Sequence, residues 1–173
     1  MPMKLPRYTV LVFGAALGLS GCMSDDKQVP AFYQSMARVD AAVDQNVAAQ
    51  MISQYRANNG LGPVTVDPAL SSIAASQAKA MAKAGSVKAS LSKPQQLDSR
   101  MGAIGEPETH VVENVSGGYR TLAEAFSGWR ESPKHNKVML DKKATRLGLA
   151  TAYSSRAKHK VFWSLVMAAP KAQ

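Results

Sequence analysis

Residues 55–70 read Tyr-Arg-Ala-Asn-Asn-Gly-Leu-Gly-Pro-Val-Thr-Val-Asp-Pro-Ala-Leu, and this stretch separates two helical patterns. Asn59-Gly60 ends the first pattern with residues that tolerate positive φ. Asp67-Pro68 begins the second with an N-cap and a first-turn proline. The stretch therefore predicts one helix over about residues 44–58 and another that ends near Gly85. The apolar face of the first helix is formed by Val47, Met51, Ile52 and Tyr55.

The second half of the chain predicts two more helices and a hairpin. Thr121-Leu122-Ala123-Glu124 matches a capping box that starts a helix of about three turns. Ser132-Pro133 starts a further short helix, in which the Ser132 hydroxyl is the cap and His135 lies in the first turns. The runs 146–153 and 160–168 are typical of two antiparallel strands. Helices followed by a hairpin predict an α+β domain, with helices packed on a small antiparallel sheet.

The N-terminus has the pattern of a signal peptide over residues 1–21. Lys4 and Arg7 form a cationic start, and the apolar stretch after them is too short to span a bilayer comfortably as a mature helix. The ending Leu19-Ser20-Gly21-Cys22 resembles the lipobox of bacterial lipoproteins. That resemblance implies acylation at Cys22 and a firm lipid anchor, because two or more acyl chains hold a protein in a membrane.

The lipobox resemblance also implies a location. Met23 follows the cysteine in place of the aspartate that retains many lipoproteins in the inner membrane, so we expect an outer-membrane anchor facing the periplasm. Residues 22–43 are predicted to be a membrane tether, and residues 44–170 the folded domain. An extracytoplasmic domain whose only cysteine carries lipid has no disulfide, so its stability depends on the packed core.

Composition narrows the class of partner. The chain has 173 residues, of which 46% are hydrophobic, which suffices for one globular domain. The net charge of +9 is spread along the sequence without a nucleic-acid-reading motif, so no nucleic-acid partner is predicted. A basic surface suits an anionic membrane or envelope polymer, and it equally suits simple solubility.

Five blocks, in order and spacing, carry a resemblance to a known family. They are Tyr55–Leu61 with Val66–Leu70, the alanine-rich helix through Met81, Glu113-Asn114-Val115 with Gly117-Gly118, Trp129–His135, and Thr145–Leu149. Together they resemble the CAP superfamily (cysteine-rich secretory, antigen 5, pathogenesis-related), in the short form with few cysteines. The resemblance implies a three-layer α/β/α sandwich with a cleft above the sheet.

The family cleft is usually lined by two histidines and two glutamates, which hold a divalent cation in some members. Glu113 and His135 match two of these positions. Ala89 stands near the place of the first histidine, and Ser132 stands at the second glutamate. Glu131 precedes Ser132 and would point about 100° away from it on a helix. The candidate ligand-binding cleft therefore comprises Glu113, Asn114, Glu131, Ser132 and His135.

The incomplete set predicts no cofactor. A zinc site needs three or four protein ligands, and His135 with Glu113 barely reaches that number even when Glu131 is added. A divalent cation such as zinc is therefore the lesser alternative. Glu113-Asn114 also has a structural interpretation, in which the two side chains form a polar bridge to the glycine-containing loop 116–118. The structural role and a ligand-binding role can coexist. His110 and His159 are predicted to be solvent-exposed.

Three functional hypotheses follow. The first is a non-enzymatic module in the cell envelope that binds a small ligand, an envelope polymer, a lipid or a protein partner. The second is a hydrolase of envelope peptide or glycan, with Glu113 and His135 as acid and base. The third is a lipid or sterol carrier that uses an apolar groove. No catalytic residue is assigned, because no nucleophile with an orienting partner accompanies the two candidates.

Overall fold

The structure is a computed structural model that describes residues 29–171. The predicted signal peptide over residues 1–21, Cys22 and the first part of the predicted tether lie outside the described residues. Within residues 29–171, no helix is both long enough and apolar enough to cross a membrane.

Five α-helices and four β-strands make up the described part of the chain, with short 3-10 turns at residues 31–33, 87–91 and 93–95. The elements in chain order are α1 (Gln45–Ala57), β1 (Thr65–Val66), α2 (Pro68–Ala84), α3 (Leu97–Ala103), β2 (Val111–Gly117), α4 (Leu122–Glu131), α5 (Pro133–Met139), β3 (Arg146–Tyr153) and β4 (Val161–Ala168).

Capping residues set the helix boundaries that the sequence predicts. The Asp44 carboxylate accepts hydrogen bonds from two backbone N–H groups of the first turn of α1, both at 3.0 Å. Asp67 does the same for α2, at 2.8 and 3.1 Å. Gly85 ends α2 with a φ of +66°, in the left-handed region that glycine adopts without strain. Both predicted helices are therefore confirmed.

The sheet has the strand order β1-β3-β4-β2. The predicted hairpin is confirmed, since β3 and β4 pair antiparallel from Arg146 opposite Ala168 to Tyr153 opposite Val161. The sheet is mixed and not purely antiparallel, because the two-residue strand β1 pairs parallel with β3. The sequence also predicted a loop around residues 116–118, whereas β2 continues to Gly117 and pairs antiparallel with β4.

Helices cover both faces of this sheet, which confirms the three predicted layers. The helices α1, α4 and α5 pack on one face around Trp129 and Trp163, whose rings meet edge to face at 6.1 Å. The helices α2 and α3 pack on the other face, where Leu70 and Met101 are buried against β3 and β4. Alternate residues along each strand thus enter two different cores.

Residues that precede the predicted domain boundary at residue 44 also pack against the domain. The side chain of Met36 is only 3% exposed and enters the core beneath α1 and α4. Its backbone N–H donates a 2.7 Å hydrogen bond to the carbonyl of Arg120. Phe32 also packs against this core. These apolar side chains fix the segment because burying them removes their surface from water.

A glycine allows the closest contact between the layers. Gly148 lies in β3 directly against the backbone of α2, and a Cβ placed there would overlap the main chain at Leu70 and Ser71. Main-chain atoms within a helix cannot move aside as the end of a side chain can. The approach of α2 to the sheet therefore depends on the missing side chain at position 148.

We predict that Gly148→Ala lowers the free energy of unfolding by about 3 kcal/mol, because α2 must move away from β3. Thermal and urea unfolding measure this change. The matched control is Gly102→Ala in α3, where an added Cβ meets nothing within 4 Å. That control should raise stability by about 0.5–1 kcal/mol, since alanine favours helix. Equal stability of Gly148→Ala and the unaltered chain would contradict the close contact.

Candidate functional site

Glu113 lies in the middle of β2, and its carboxylate is fully engaged by protein groups. One oxygen accepts a 2.6 Å hydrogen bond from Arg100, whose side chain is 4% exposed. The other oxygen accepts a 2.8 Å hydrogen bond from the Ser164 hydroxyl. The Arg100 guanidinium also donates to the carbonyls of Gln95 and Ile73. Glu113 therefore holds α3 against the sheet through a nearly buried ion pair.

Asn114, the next residue in β2, serves the opposite face of the sheet. It is 1% exposed, and its side-chain N–H donates a 2.9 Å hydrogen bond to the backbone carbonyl of His135 in α5. The Asn114 side-chain oxygen is buried without a hydrogen-bond partner among the described residues. Asn114 therefore attaches the start of α5 to β2 and retains one free acceptor there.

His135 is half-buried in the first turns of α5. Its Nδ1 atom is buried and has no hydrogen-bond partner within residues 29–171. Burial lowers the pKa of the His135 imidazole, and the positive charge of Lys134 lowers it further. The imidazole is therefore neutral at pH 7, with one ring nitrogen available to accept a hydrogen bond.

The structure does not bring Glu113 and His135 together in a hydrogen-bonded pair. Successive side chains in a strand point to opposite faces, so the Glu113 carboxylate lies on the α2–α3 face while Asn114 contacts α5. Glu113 and Asn114, which the sequence analysis predicts in one cleft with His135, therefore contact different layers of the domain. The polar bridge predicted for Glu113-Asn114 is real, but its two residues bridge to different layers and not to the glycine-containing loop.

Glu131 and Ser132 lie where α4 passes into α5. Glu131 is the last residue of α4 and is exposed, and Ser132 is half-buried between the two helices. The Ser132 hydroxyl makes no capping hydrogen bond, contrary to the prediction. The backbone of Ser132 connects the two helices instead. Its N–H donates a 3.2 Å hydrogen bond to the Gly128 carbonyl, and its carbonyl accepts a 2.8 Å hydrogen bond from the Asn136 N–H.

Of the two remaining histidines, His110 differs from the sequence prediction. It is only partly exposed, and its Nε2 lies 3.0 Å from a carboxylate oxygen of Asp141. Although burial raises the pKa of Asp141, hydrogen bonds from His110 and from two backbone N–H groups lower it below its ordinary value. His159 is exposed, as predicted.

The residues present do not fit the cation that the family resemblance implies. Within residues 29–171, no three His, Cys, Asp or Glu side chains lie close enough to share a metal ion. The Glu113 carboxylate is neutralised by Arg100, and Ala89, at the place of the first family histidine, offers no donor.

A groove between α1 and α4 is a feature that the sequence analysis did not locate. Its volume is about 520 Å³. Tyr55 and Phe126 meet across it edge to face, with ring centroids 5.6 Å apart. The Tyr55 hydroxyl donates a 2.9 Å hydrogen bond to the Asn136 side chain, which connects the groove to α5. The lining residues are Gln50, Met51, Gln54, Tyr55, Asn58, Phe126 and Arg130.

The groove has a signal in the sequence, although a subtle one. The polar residues Gln50, Gln54 and Asn58 repeat every fourth residue beside the apolar pair Met51 and Tyr55. Residues at this spacing form neighbouring rows on a helix. The sequence places Met51 and Tyr55 on the apolar face of the first helix, and in the structure both lie at the margin of the core, where a second helix leaves a gap.

We predict that the His135 imidazole titrates below its ordinary pKa of 6.5, as measured from its ring proton resonances by NMR. Because the folded pKa is lower than the unfolded one, the contribution of His135 to stability is complete above pH 6.5 and is lost as the pH falls through the folded pKa. Lys134→Gln should raise the pKa, whereas Lys137→Gln in the same helix should leave it unchanged. Titration at or above pH 6.5 would contradict the burial of the ring.

Comparison with solved structures gives relatives of the same fold. An outer surface protein of Borrelia burgdorferi aligns with a TM-score of 0.63 at 14% identity, covering 76% of this chain and 98% of that one. A cysteine-rich secretory protein of Staphylococcus aureus aligns with a TM-score of 0.55 at 16% identity, covering 76% of this chain and 40% of that one. An extracellular protein of Bacillus anthracis that contains an SCP domain aligns with a TM-score of 0.58 at 20% identity, covering 72% and 41%.

The aligned region spans about two fifths of the length of the latter two proteins. No match was found among proteins with curated descriptions. The model of the cysteine-rich secretory protein family, CAP, matches residues 49–167, which is more than half of the chain. All the blocks that carry the resemblance in the sequence lie within this range. The chain therefore belongs to the CAP family of cysteine-rich secretory proteins.

Proposed function

We propose that this chain is a lipid-anchored protein of the cell envelope whose CAP domain binds a ligand without transforming it. The observation that carries the proposal is the state of Glu113. Its two carboxylate oxygens are taken by Arg100 and Ser164, and it forms no hydrogen bond to His135. A general acid or base must reach the proton that it transfers, so this arrangement favours a binding role over acid–base catalysis.

Two independent observations support a location in the cell envelope. The sequence ends its apolar N-terminal stretch with the lipobox-like Leu19-Ser20-Gly21-Cys22. The three structural relatives are described as an outer surface protein, a secretory protein and an extracellular protein. We propose that acylated Cys22 holds the chain in the outer membrane with its domain in the periplasm. The membrane is then its first partner, and no nucleic acid is involved.

The groove between α1 and α4 favours a second, more specific function as a lipid carrier. Tyr55, Phe126 and Met51 offer apolar and aromatic surface, and Arg130 at the margin offers a cation. An apolar body bound along such a groove loses contact with water, while a carboxylate or phosphate end pairs with the guanidinium. The ligand class that fits is an amphipathic molecule with an acyl chain or flat ring system and an acidic end.

The region beside α5, which the sequence analysis proposed as a cleft, is the alternative place of binding. The free acceptor of Asn114, the buried Nδ1 of His135 and the exposed Glu131 lie around the junction of α4 and α5. These groups suit a polar ligand with hydrogen-bond donors. The proposed binding needs no cofactor at either place.

We predict that Cys22→Ala abolishes both incorporation of labelled palmitate and recovery of the protein in the membrane fraction of a diderm bacterial host. Cys22 is the only cysteine in the chain, so no second thiol can substitute for it. Ser20→Ala is the matched control, because it keeps a small residue before the cleavage point and should retain the label. A soluble, unlabelled wild-type chain in the periplasm would contradict the anchor.

We predict that the chain from Met23 to Gln173, which retains every described residue, binds a fluorescent fatty acid in the groove. Phe126→Gln and Met51→Gln should weaken binding at least about tenfold, since each places an amide against the apolar ligand. His135→Ala should leave this affinity unchanged. Loss of binding in His135→Ala alone would move the ligand to the region beside α5, and no binding of any lipid class would exclude the carrier function.

The same preparation tests the enzymatic and metal-binding alternatives. Turnover of cell-wall peptide or glycan fragments that disappears in both Glu113→Gln and His135→Ala would establish a hydrolase and overturn the binding role. Calorimetric titration with zinc, magnesium and calcium should give no heat of binding. Heat that vanishes in His135→Ala would contradict the cofactor-free proposal.

A further inference from the structure

A continuous basic surface surrounds Tyr153 at the end of β3. Three adjoining depressions there all have Tyr153 in their lining. Their cations come from the N-terminal segment, α2, the start of α4 and the β3–β4 connection. Seven exposed cations line the depressions, and one of them, Lys160, donates a hydrogen bond to the carbonyl of Ser155. We define the basic face by the other six exposed side chains, those of Arg38, Lys79, Lys83, Arg120, Arg156 and Lys158.

The basic face lacks compensating carboxylates. None of its six cations lies within 4.0 Å of a carboxylate oxygen in the described part of the chain, and Asp40 is the one acidic residue that lines the three depressions. Arg146, at the opposite end of β3, contacts both Asp67 and Glu106. Arg146 thus lies in a cluster of opposite charges at its end of β3, whereas the six cations around Tyr153, at the other end, have no carboxylate partner within 4.0 Å among the described residues.

An exposed apolar residue lies among these cations. Val39 is 70% exposed and lines two of the three depressions, between Arg38 and Asp40 in sequence. A soluble polyanion would gain nothing from this side chain, whereas a bilayer surface accepts apolar side chains beneath its headgroups. The combination of cations and an exposed valine favours a lipid surface as the occupant.

The course of the chain brings this face close to the proposed anchor. Ala37 to Ala41 line the face, and Met36 is held beside it by its hydrogen bond to Arg120. The seven residue steps from Cys22 to Val29, the first described residue, span at most about 25 Å when fully extended. The basic face is therefore within reach of the membrane in which acylated Cys22 would lie.

We propose that the basic face docks the domain on anionic phospholipid headgroups, with Val39 inserted at the bilayer surface. This inference depends on the proposed function in one respect only, namely the membrane on which the domain docks. Lysine and arginine side chains near an anionic bilayer are each attracted to it, and the attraction is screened by salt. Docking would hold the CAP domain in one orientation on the membrane.

Sedimentation with lipid vesicles tests the proposal, using the chain from Met23 to Gln173. Because this chain lacks Cys22, the outcome is independent of acylation and of the anchoring experiment. Binding to vesicles containing about 30% phosphatidylglycerol should exceed binding to pure phosphatidylcholine at least tenfold. It should be lost in about 0.5 M salt. No preference for the anionic vesicles would overturn the proposal.

A matched pair of triple variants tests the location of the contact. The face variant carries Lys79→Glu, Lys83→Glu and Arg156→Glu. The control variant changes the net charge equally at three exposed lysines outside the face, with Lys93→Glu, Lys137→Glu and Lys142→Glu. Thermal unfolding verifies that both variants fold. The face variant should lose at least about tenfold in vesicle binding and the control less than about twofold, whereas equal losses would overturn the assignment to this face.

Val39→Ser distinguishes a bilayer from a soluble polyanion as the partner. The substitution leaves every charge in place, so it should weaken binding to anionic vesicles while leaving any binding to inorganic polyphosphate unchanged. Vesicle binding that is unaffected by Val39→Ser would exclude insertion. Binding to polyphosphate without binding to vesicles would assign the face to an envelope polymer and overturn the lipid proposal.

Discussion

The buried guanidinium of Arg56 is the interaction on which much of the architecture depends. Its side chain is 1% exposed and donates to four backbone carbonyls, those of Gly62, Met139, Asp141 and Ala144, at distances of 2.8–2.9 Å. Burial lowers the pKa of Arg56, and the charge of Asp141 opposes that shift. Arginine keeps its charge in a protein interior, and its planar group donates in several fixed directions at once. Without it, four carbonyls at the junction of α1, α5 and β3 would be left partly buried and unsatisfied.

Arg56 and Asn114 together fix α5 from both ends. Arg56 holds the carbonyl of Met139 at the end of the helix, and Asn114 holds that of His135 near its start. A seven-residue helix has little stability of its own, because most helical stability in proteins comes from tertiary contacts. The orientation of His135 is thus a consequence of two buried polar side chains on other elements. Arg56 and Asn114 thereby also position Asn136, whose side-chain oxygen accepts the hydrogen bond of the Tyr55 hydroxyl at the edge of the groove.

The elements that sequence analysis predicted are those whose signals are local. Asp44, Asp67 and Thr121 cap helices through backbone groups two or three residues away, so a short stretch of sequence suffices to recognise them. Strand β2 carries polar residues whose partners are distant in sequence, namely Arg100 and Ser164 for Glu113 and Trp129 for Ser116. No local pattern reveals such partners. Glu113 and Asn114 point to opposite faces because they are successive residues of a strand, and the sequence alone does not predict a strand at this segment.

The N-terminal segment relates the two surfaces proposed for function. The turn at residues 31–33 packs against α1 and α4, the helices that form the groove, while Ala37 to Ala41 line the basic face. A domain tethered by a short chain meets its membrane at an effective concentration in the millimolar range. A docking contact that is weak in solution is then sufficient to orient the domain. Six unpaired cations and one exposed valine form a contact of that modest strength, which leaves the groove free to exchange a ligand while the domain stays on the membrane.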